Sequence, residues 1–217
     1  MELEFWKERW QNQQIGFHRS DVNPYLSSFF QEICSSCRNV IVPLCGKSLD
    51  MIWLSEKGME VAGVEISDLA VKSFFTENSL EYSVSRTEPF QVFKSGKITI
   101  YCGDFFQFKT ELFDLIDCVY DRASLIALPK EMRKNYLKIM KGLKAGSEIM
   151  LVSMEYPEGE MNGPPFSVPE KEVFELYEED FTVEKIKEFN VMEENPQFKN
   201  RGLSSMHEKI YWIRKNH

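Results

Sequence analysis

Three acids stand where short apolar runs come to an end. Glu65 follows Val61-Ala62-Gly63-Val64, Asp104 comes shortly after Ile98-Thr99-Ile100-Tyr101, and Asp121, with Arg122 beside it, closes a run that begins at Leu115. A fourth run, Val40-Ile41-Val42, ends on Pro43-Leu44-Cys45-Gly46-Lys47-Ser48. A carboxylate can accept from hydroxyl or amino groups, and a guanidinium can hold an anion. Ligands of open α/β sheets lie beyond the carboxyl ends of the strands, so these residues are expected around one crevice.

The turn at Gly46 narrows the ligand. Gly46-Lys47-Ser48 resembles the end of a phosphate-binding loop, but that loop needs glycine five positions earlier and Ile41 stands there. The dinucleotide fingerprint wants three spaced glycines and this turn has one. A pyrophosphate would be poorly held. Glu65, at the end of the second run, can still accept from both hydroxyls of a ribose. A cofactor with a ribose and no phosphates fits, and S-adenosylmethionine is the common one. Asp104 could accept from an adenine amino group with Phe105 over the ring; the alternative is that Gly103-Asp104 is only a turn. Glu65 could instead be a solvated acid on a plain βαβ unit, and Arg122 a salt-bridge partner.

The elements that must position these groups are readable in outline. Proline lacks the N–H for a ladder, so Pro43 ends the first strand; Gly46 allows the turn, and Ser48 is placed to cap a helix through Met51, Trp53 and Leu54 that stops near Gly58. Residues 3–14 read as an amphipathic helix with Phe5, Trp6 and Trp10 on one edge, followed by Ile15-Gly16-Phe17-His18. Asn23-Pro24 opens a helix to Ile33, and Ser67-Asp68 another through Phe75. Phe90–Phe93 and Ile98–Tyr101 flank a glycine-bearing hairpin turn. A helix over Pro129–Leu143, a strand over Ile149–Met154, a proline-rich loop at 157–169 and a short helix through Val173, Phe174 and Leu176 follow. Strands over Thr182–Glu188 and Lys209–Arg214, with no helix between them, predict a terminal antiparallel pair. Alternating strands and helices predict a mostly parallel α/β sheet with right-handed crossovers in a single domain.

Composition excludes several classes. A net charge of −8 argues against a nucleic-acid backbone or an anionic membrane as partner. No apolar run approaches the ~20 residues of a membrane span, and the acidic, aromatic start is no secretory signal, so a cytoplasmic protein is expected. Five scattered cysteines make no disulfide framework. Cys34 and Cys37 form a C-x-x-C, but no second ligand pair at zinc spacing accompanies it, and it does not open a helix after a strand as a redox pair would. Three histidines outline no metal site, and none is expected.

Several blocks together are recognisable. Phe5-Trp6-x-x-Arg9-Trp10, Ile15-Gly16-Phe17-His18, Pro43 to Met51, Gly63-Val64-Glu65, Asp121-Arg122-Ala123 and Gly163-Pro164-Pro165-Phe166 resemble the thiopurine S-methyltransferase family in its bacterial form, in order across nearly the whole chain. The resemblance implies the class I methyltransferase (Rossmann-like) fold: seven strands, the last antiparallel, with helices on both faces. It implies S-adenosyl-L-methionine as methyl donor. Carried over by motif, Trp10, Leu44, Glu65 and Arg122 match cofactor-contacting positions, with Trp6, Asp104 and Phe105 nearby. Phe17 matches a substrate-pocket position, and Phe166 is expected to help exclude water there. Animal members often have glycine where Ala123 stands. The match is loose from Gln197 to Ser205, which leaves Arg201 without an assigned role.

The implied chemistry joins a sulfonium methyl group to an anionic sulfur. Acidic aromatic thiols are largely ionised near neutral pH, so no general base is expected and Arg122 orients the anion. Expected partners are a small thiol and no macromolecule, the chain acting as a monomer with residues 1–22 as a lid. The rivals are another acceptor (selenium or tellurium species, oxygen or nitrogen groups), for which Asp121 is the one visible base, and a nucleoside-binding domain without turnover.

Overall fold

Apolar runs unbroken by polar residues, too short for helices, make strands covered on both faces. The computed structural model describes residues 3–108 and 115–217. Its first half contains helices α1 (Leu3–Gln11) and α2 (Pro24–Ile33), strand β1 (Asn39–Val42), α3 (Asp50–Glu56), β2 (Glu60–Glu65) and α4 (Asp68–Glu77). Strands β3 (Ser83–Thr87), β4 (Phe90–Ser95), β5 (Ile98–Cys102) and β6 (Cys118–Arg122) follow. Next come α5 (Lys130–Met140), β7 (Glu148–Glu155), α6 (Glu170–Tyr177), β8 (Phe181–Asn190), α7 (Pro196–Lys199) and β9 (His207–Lys215).

The strands form one sheet in the order β3-β4-β5-β2-β1-β6-β7-β9-β8. Strands β5, β2, β1, β6 and β7 run parallel, and β9 is antiparallel to both of its neighbours. Seven strands, β5 to β8 in that order, are the sheet expected. Among the described residues the count is corrected to nine because β3 and β4 extend it antiparallel beyond β5. All five residues of β3 are exposed, as suits a short polar edge strand that discourages further pairing.

Helices cover both faces. Leu26 and Phe30 of α2, Met51 and Leu54 of α3 and Phe74 of α4 are fully buried in one apolar cluster. Tyr136 and Met140 of α5 with Val173 and Tyr177 of α6 are buried in the other. A side chain such as Phe30, at no residual exposure, contributes about 1.5–3 kcal/mol by leaving water. Asn23 caps α2 by accepting from Tyr25 N at 2.8 Å, and Ser67 caps α4 by accepting from Ala70 N at 3.2 Å, as their sequence positions predict. Ser48 departs from its expected part. It accepts from Asp50 N at 3.2 Å, while Leu49 occupies the cap position of α3 without a side-chain bond. The stretch between β8 and β9 also holds the four-residue α7, where no helix was expected.

The chain passes from β1 through β2 to β5, then returns to β6 on the other side of β1. That reversal leaves a crevice above the carboxyl ends of β1 and β6.

Candidate active site

A cavity of about 630 Å³ opens at this reversal, within the ~300–1,000 Å³ of small-molecule sites. Leu44 and Gly46 after β1, Glu65 at the end of β2 and Arg122 at the end of β6 all line it. Trp6, Trp10 and Phe17 enter from the N-terminal segment.

The turn after β1 is shaped by close approaches. Gly46 lies at φ +54°, and a Cβ there would meet the Trp10 ring at 3.0 Å. Glycine is thus required both by the backbone and by the indole laid against it. Leu44 (φ +45°) and Ala123 (φ +71°) also occupy the left-handed region, at roughly 1–2 kcal/mol each for side-chain-bearing residues. The two positions sit directly at the cavity, next to the turn and to Arg122. The φ of Ala123 gives a physical reason why glycine suits that place.

Glu65 is the acid the cavity wall is built on. It is 4% exposed, and its two oxygens accept from Gly46 N at 2.9 Å and Ser67 N at 2.8 Å. Burial pushes its carboxyl up to about 7, against the pull of those backbone donors. Two carboxylate oxygens offer about four acceptor positions, so capacity remains for a ligand. Arg122 is half-buried, and among the described residues its side chain has neither a hydrogen bond nor an ion pair. The salt-bridge alternative for Arg122 therefore has no partner among the described residues. His18, also at the cavity, is held below its usual value by burial and then by Lys47.

Other expected residues lie elsewhere. Phe105 is 2% exposed and packs in the core at 5.4 Å from Tyr136, and Asp104 accepts from Phe106 N at 2.9 Å as the cap of a 3-10 turn. Neither is among the residues that line this cavity, and Asp104 serves as the turn cap that the alternative reading of Gly103-Asp104 expects. Ile66, directly after the acid, does line it. Phe166 is likewise not in the wall; its ring packs on Gly163, and Pro164 and Pro165 present the loop to the cavity instead.

Asp121, the visible candidate base, is fully buried and already engaged. It accepts from Tyr136 OH at 2.6 Å, Ser124 N at 3.2 Å and Leu125 N at 3.3 Å. It stands outside the cavity wall and fixes the chain as it leaves β6, which removes it as a proton acceptor for substrate. Tyr136→Phe should leave one buried carboxylate oxygen short of its donor and cost about 1–3 kcal/mol in urea unfolding. An unchanged midpoint would show that the bond contributes nothing.

Two further wall residues, Asp50 and Arg201, had no role assigned from the sequence. Asp50 ties three segments together by accepting from Asn23 N at 2.8 Å and Tyr120 OH at 3.1 Å. Arg201, left without a role, reaches the cavity with its guanidinium 5.8 Å from the Phe198 ring. Asp50 opens α3, where an acid suits the helix N-terminus, so its type gave no distinct signal. Arg201 offered none.

Comparison with known proteins agrees with this geometry. The family model described as thiopurine S-methyltransferase (TPMT) matches residues 1–216. The thiopurine S-methyltransferase of Nitrosospira multiformis is 43% identical over 215 residues, covering 98% of each chain. That of Marinobacter nauticus is 44% identical over 205 residues, 94% of each. Among solved structures, Burkholderia thailandensis 1,6-didemethyltoxoflavin-N1-methyltransferase, with bound 1,6-didemethyltoxoflavin and S-adenosylhomocysteine, aligns at a TM-score of 0.67 and 13% identity, over 99% of this chain and 87% of that one. A SAM-dependent methyltransferase from Anabaena variabilis aligns at 0.66 and 15% identity, over 99% and 95%. The sheet is that of the class I methyltransferases, and the chain belongs to the thiopurine S-methyltransferase family.

Proposed function

We propose that the chain transfers a methyl group from S-adenosylmethionine to the sulfur of small aromatic or heterocyclic thiols, thiopurines among them. The observation that carries the reading is the presence, in one strand-end cavity, of a buried acceptor carboxylate, Glu65, and a cation, Arg122, whose side chain has no hydrogen bond or ion pair among the described residues. The donor set suits the cofactor: one glycine, no nest of amides for a pyrophosphate, and a carboxylate with free lone pairs for two hydroxyls.

S-adenosylmethionine, when bound, supplies an electrophilic methyl group on a sulfonium. Glu65 would hold the ribose hydroxyls, with Leu44 and Trp10 forming the apolar wall beside it. Arg122 would orient the anionic sulfur by its planar guanidinium and take no proton. Phe17, Pro164 and Pro165 would keep water from a pocket in which two opposite charges are neutralised as the bond forms. An acceptor ionised before it arrives needs no base, and the removal of Asp121 from the site is consistent with that. The reading has the chain acting as a cytoplasmic monomer on free small molecules. Its net charge of −8 favours no nucleic-acid partner, and among the described residues no helix is long and apolar enough to cross a membrane.

Calorimetry tests the cofactor assignment. S-adenosylhomocysteine should bind and NAD should not. The pH dependence has a defined sign. Glu65 titrates near 7 without ligand, and its ionised form is the better hydroxyl acceptor. Affinity should hold above about pH 7 and fall below it, toward about tenfold per pH unit. Affinity that rises on acidification would contradict the role given to Glu65.

Residues 1–22 are proposed to act as a lid within a single domain, although Met1 and Glu2 lie outside the described residues. Trp10 is 6% exposed and lies on Gly46, while the Trp6 and Phe17 rings meet edge to face at 5.6 Å. A nine-residue helix is marginal alone and is held here by its aromatic edge. Hydrogen exchange over α1 should slow markedly when S-adenosylhomocysteine binds, with little change in β1 or β6. Equal protection with and without ligand would make the segment a fixed wall.

A further inference from the structure

The C-x-x-C pair does not stand alone in the fold. Cys34 closes α2, its N–H donating to Phe30 O at 2.7 Å, and Cys37 N donates back to Cys34 O at 3.1 Å. Cys118 opens β6, and Glu148 opens β7 as its register partner. The Sγ atoms of Cys34 and Cys118 and a carboxylate oxygen of Glu148 all lie within 4.8 Å of one another. Cys37, tied to Cys34 by that backbone bond, is close enough to Cys118 for their thiols to interact electrostatically. All of the cysteines are free.

These residues lie at the amino ends of β6 and β7, at the opposite edge of the sheet from the cavity, and none of them lines it. Cys34 and Cys118 are 2% and 1% exposed, while Cys37 and Glu148 are half-buried and give access from solvent. Trp212 Nε1 donates to Glu148 Oε1 at 3.1 Å, which orients the carboxylate as supporting partners of metal ligands do. Ligand atoms at the corners of a tetrahedron with Zn–S bonds of about 2.3 Å stand ~3.8 Å apart. For Cys34, Cys118 and Glu148, side-chain shifts of about 1 Å would close the separation to that spacing, and Cys37 would complete the set by a rotation of its half-buried side chain.

We propose that Cys34, Cys37, Cys118 and Glu148 form a binding site for a thiophilic divalent cation of the Zn²⁺ type, which clips the end of α2 to the sheet. Thiolate sulfurs with one carboxylate select zinc over magnesium or calcium, which take oxygen ligands. Loading forms metal–sulfur and metal–oxygen bonds and releases the thiol protons to solvent. No redox change is involved. The Cys37 N–H bond to Cys34 O and the register of Cys118 with Glu148 keep the ligands near their places in the metal-free chain.

The test uses the full chain, reduced and stripped of metal, titrated with Co²⁺ and then with Zn²⁺. One Co²⁺ per chain should bind with thiolate-to-cobalt charge-transfer bands and the intense visible bands of a tetrahedral site, and Zn²⁺ should displace it and raise the thermal midpoint. Cys118→Ser and, at the less buried position, Cys37→Ser should each weaken Zn²⁺ binding by about tenfold or more. Unchanged S-adenosylhomocysteine binding by the variants would certify their fold. Wild-type protein that gives no thiolate–cobalt band, or Zn²⁺ affinity unchanged in both folded variants, would overturn the proposal.

Discussion

Arg122→Ala is expected to lower kcat/KM for an anionic aromatic thiol by about 10- to 150-fold, the equivalent of the ~1.5–3 kcal/mol carried by hydrogen bonds to a charged group. The guanidinium ends β6 at the cavity and has no hydrogen bond or ion pair from its side chain among the described residues. Its removal therefore leaves no buried partner stranded, and the unfolding midpoint should move little. Arg122→Lys keeps the charge without the planar fork and should retain an intermediate rate. A neutral acceptor should lose less than an anionic one. Unchanged turnover of the anionic thiol by Arg122→Ala would take the arginine out of the mechanism.

Glu65→Ala should weaken S-adenosylhomocysteine binding by about 30- to 150-fold, or ~2–3 kcal/mol. Two effects combine in the variant. The ligand's hydroxyls lose their acceptor, and Gly46 N and Ser67 N, bonded to the carboxylate at 2.9 and 2.8 Å, lose theirs. The second effect loosens the turn on which Trp10 rests and should show as a lower thermal midpoint without ligand. Measuring both separates ligand contact from turn integrity. A variant with a lowered midpoint and wild-type affinity would make Glu65 a structural acid alone.

Much of the fold was legible because its central strands are buried on both faces. Val40–Val42 and Val61–Val64 read as strands for that reason, and Glu65 and Gly46 followed from their ends. Strand β3 was hidden because Ser83–Thr87 is exposed throughout and carries one apolar residue, Val84, among polar ones. The site was legible where backbone chemistry and side-chain chemistry coincide, as at Gly46, and ambiguous where one residue type serves two ends. Asp104 as a turn cap and Asp104 as a ligand acceptor look alike in a sequence, as do Phe105 in the core and Phe105 over a ring. Asp121 read as a base because Tyr136, which occupies it, comes from a helix well downstream. The thiol cluster was illegible for the same reason: Cys118 reaches Cys34 and Cys37 only through the pairing of β1 with β6.

The most direct measurement is transfer of a labelled methyl group from S-adenosylmethionine to a panel comprising an acidic aromatic thiol, a thiopurine, selenite and a catechol. Enzyme-dependent methyl thioether is expected from both thiols, at rates that follow the ionised fraction of the thiol and fall in Arg122→Ala. Stoichiometric binding of the cofactor with no thioether from either thiol would contradict methyl transfer to sulfur.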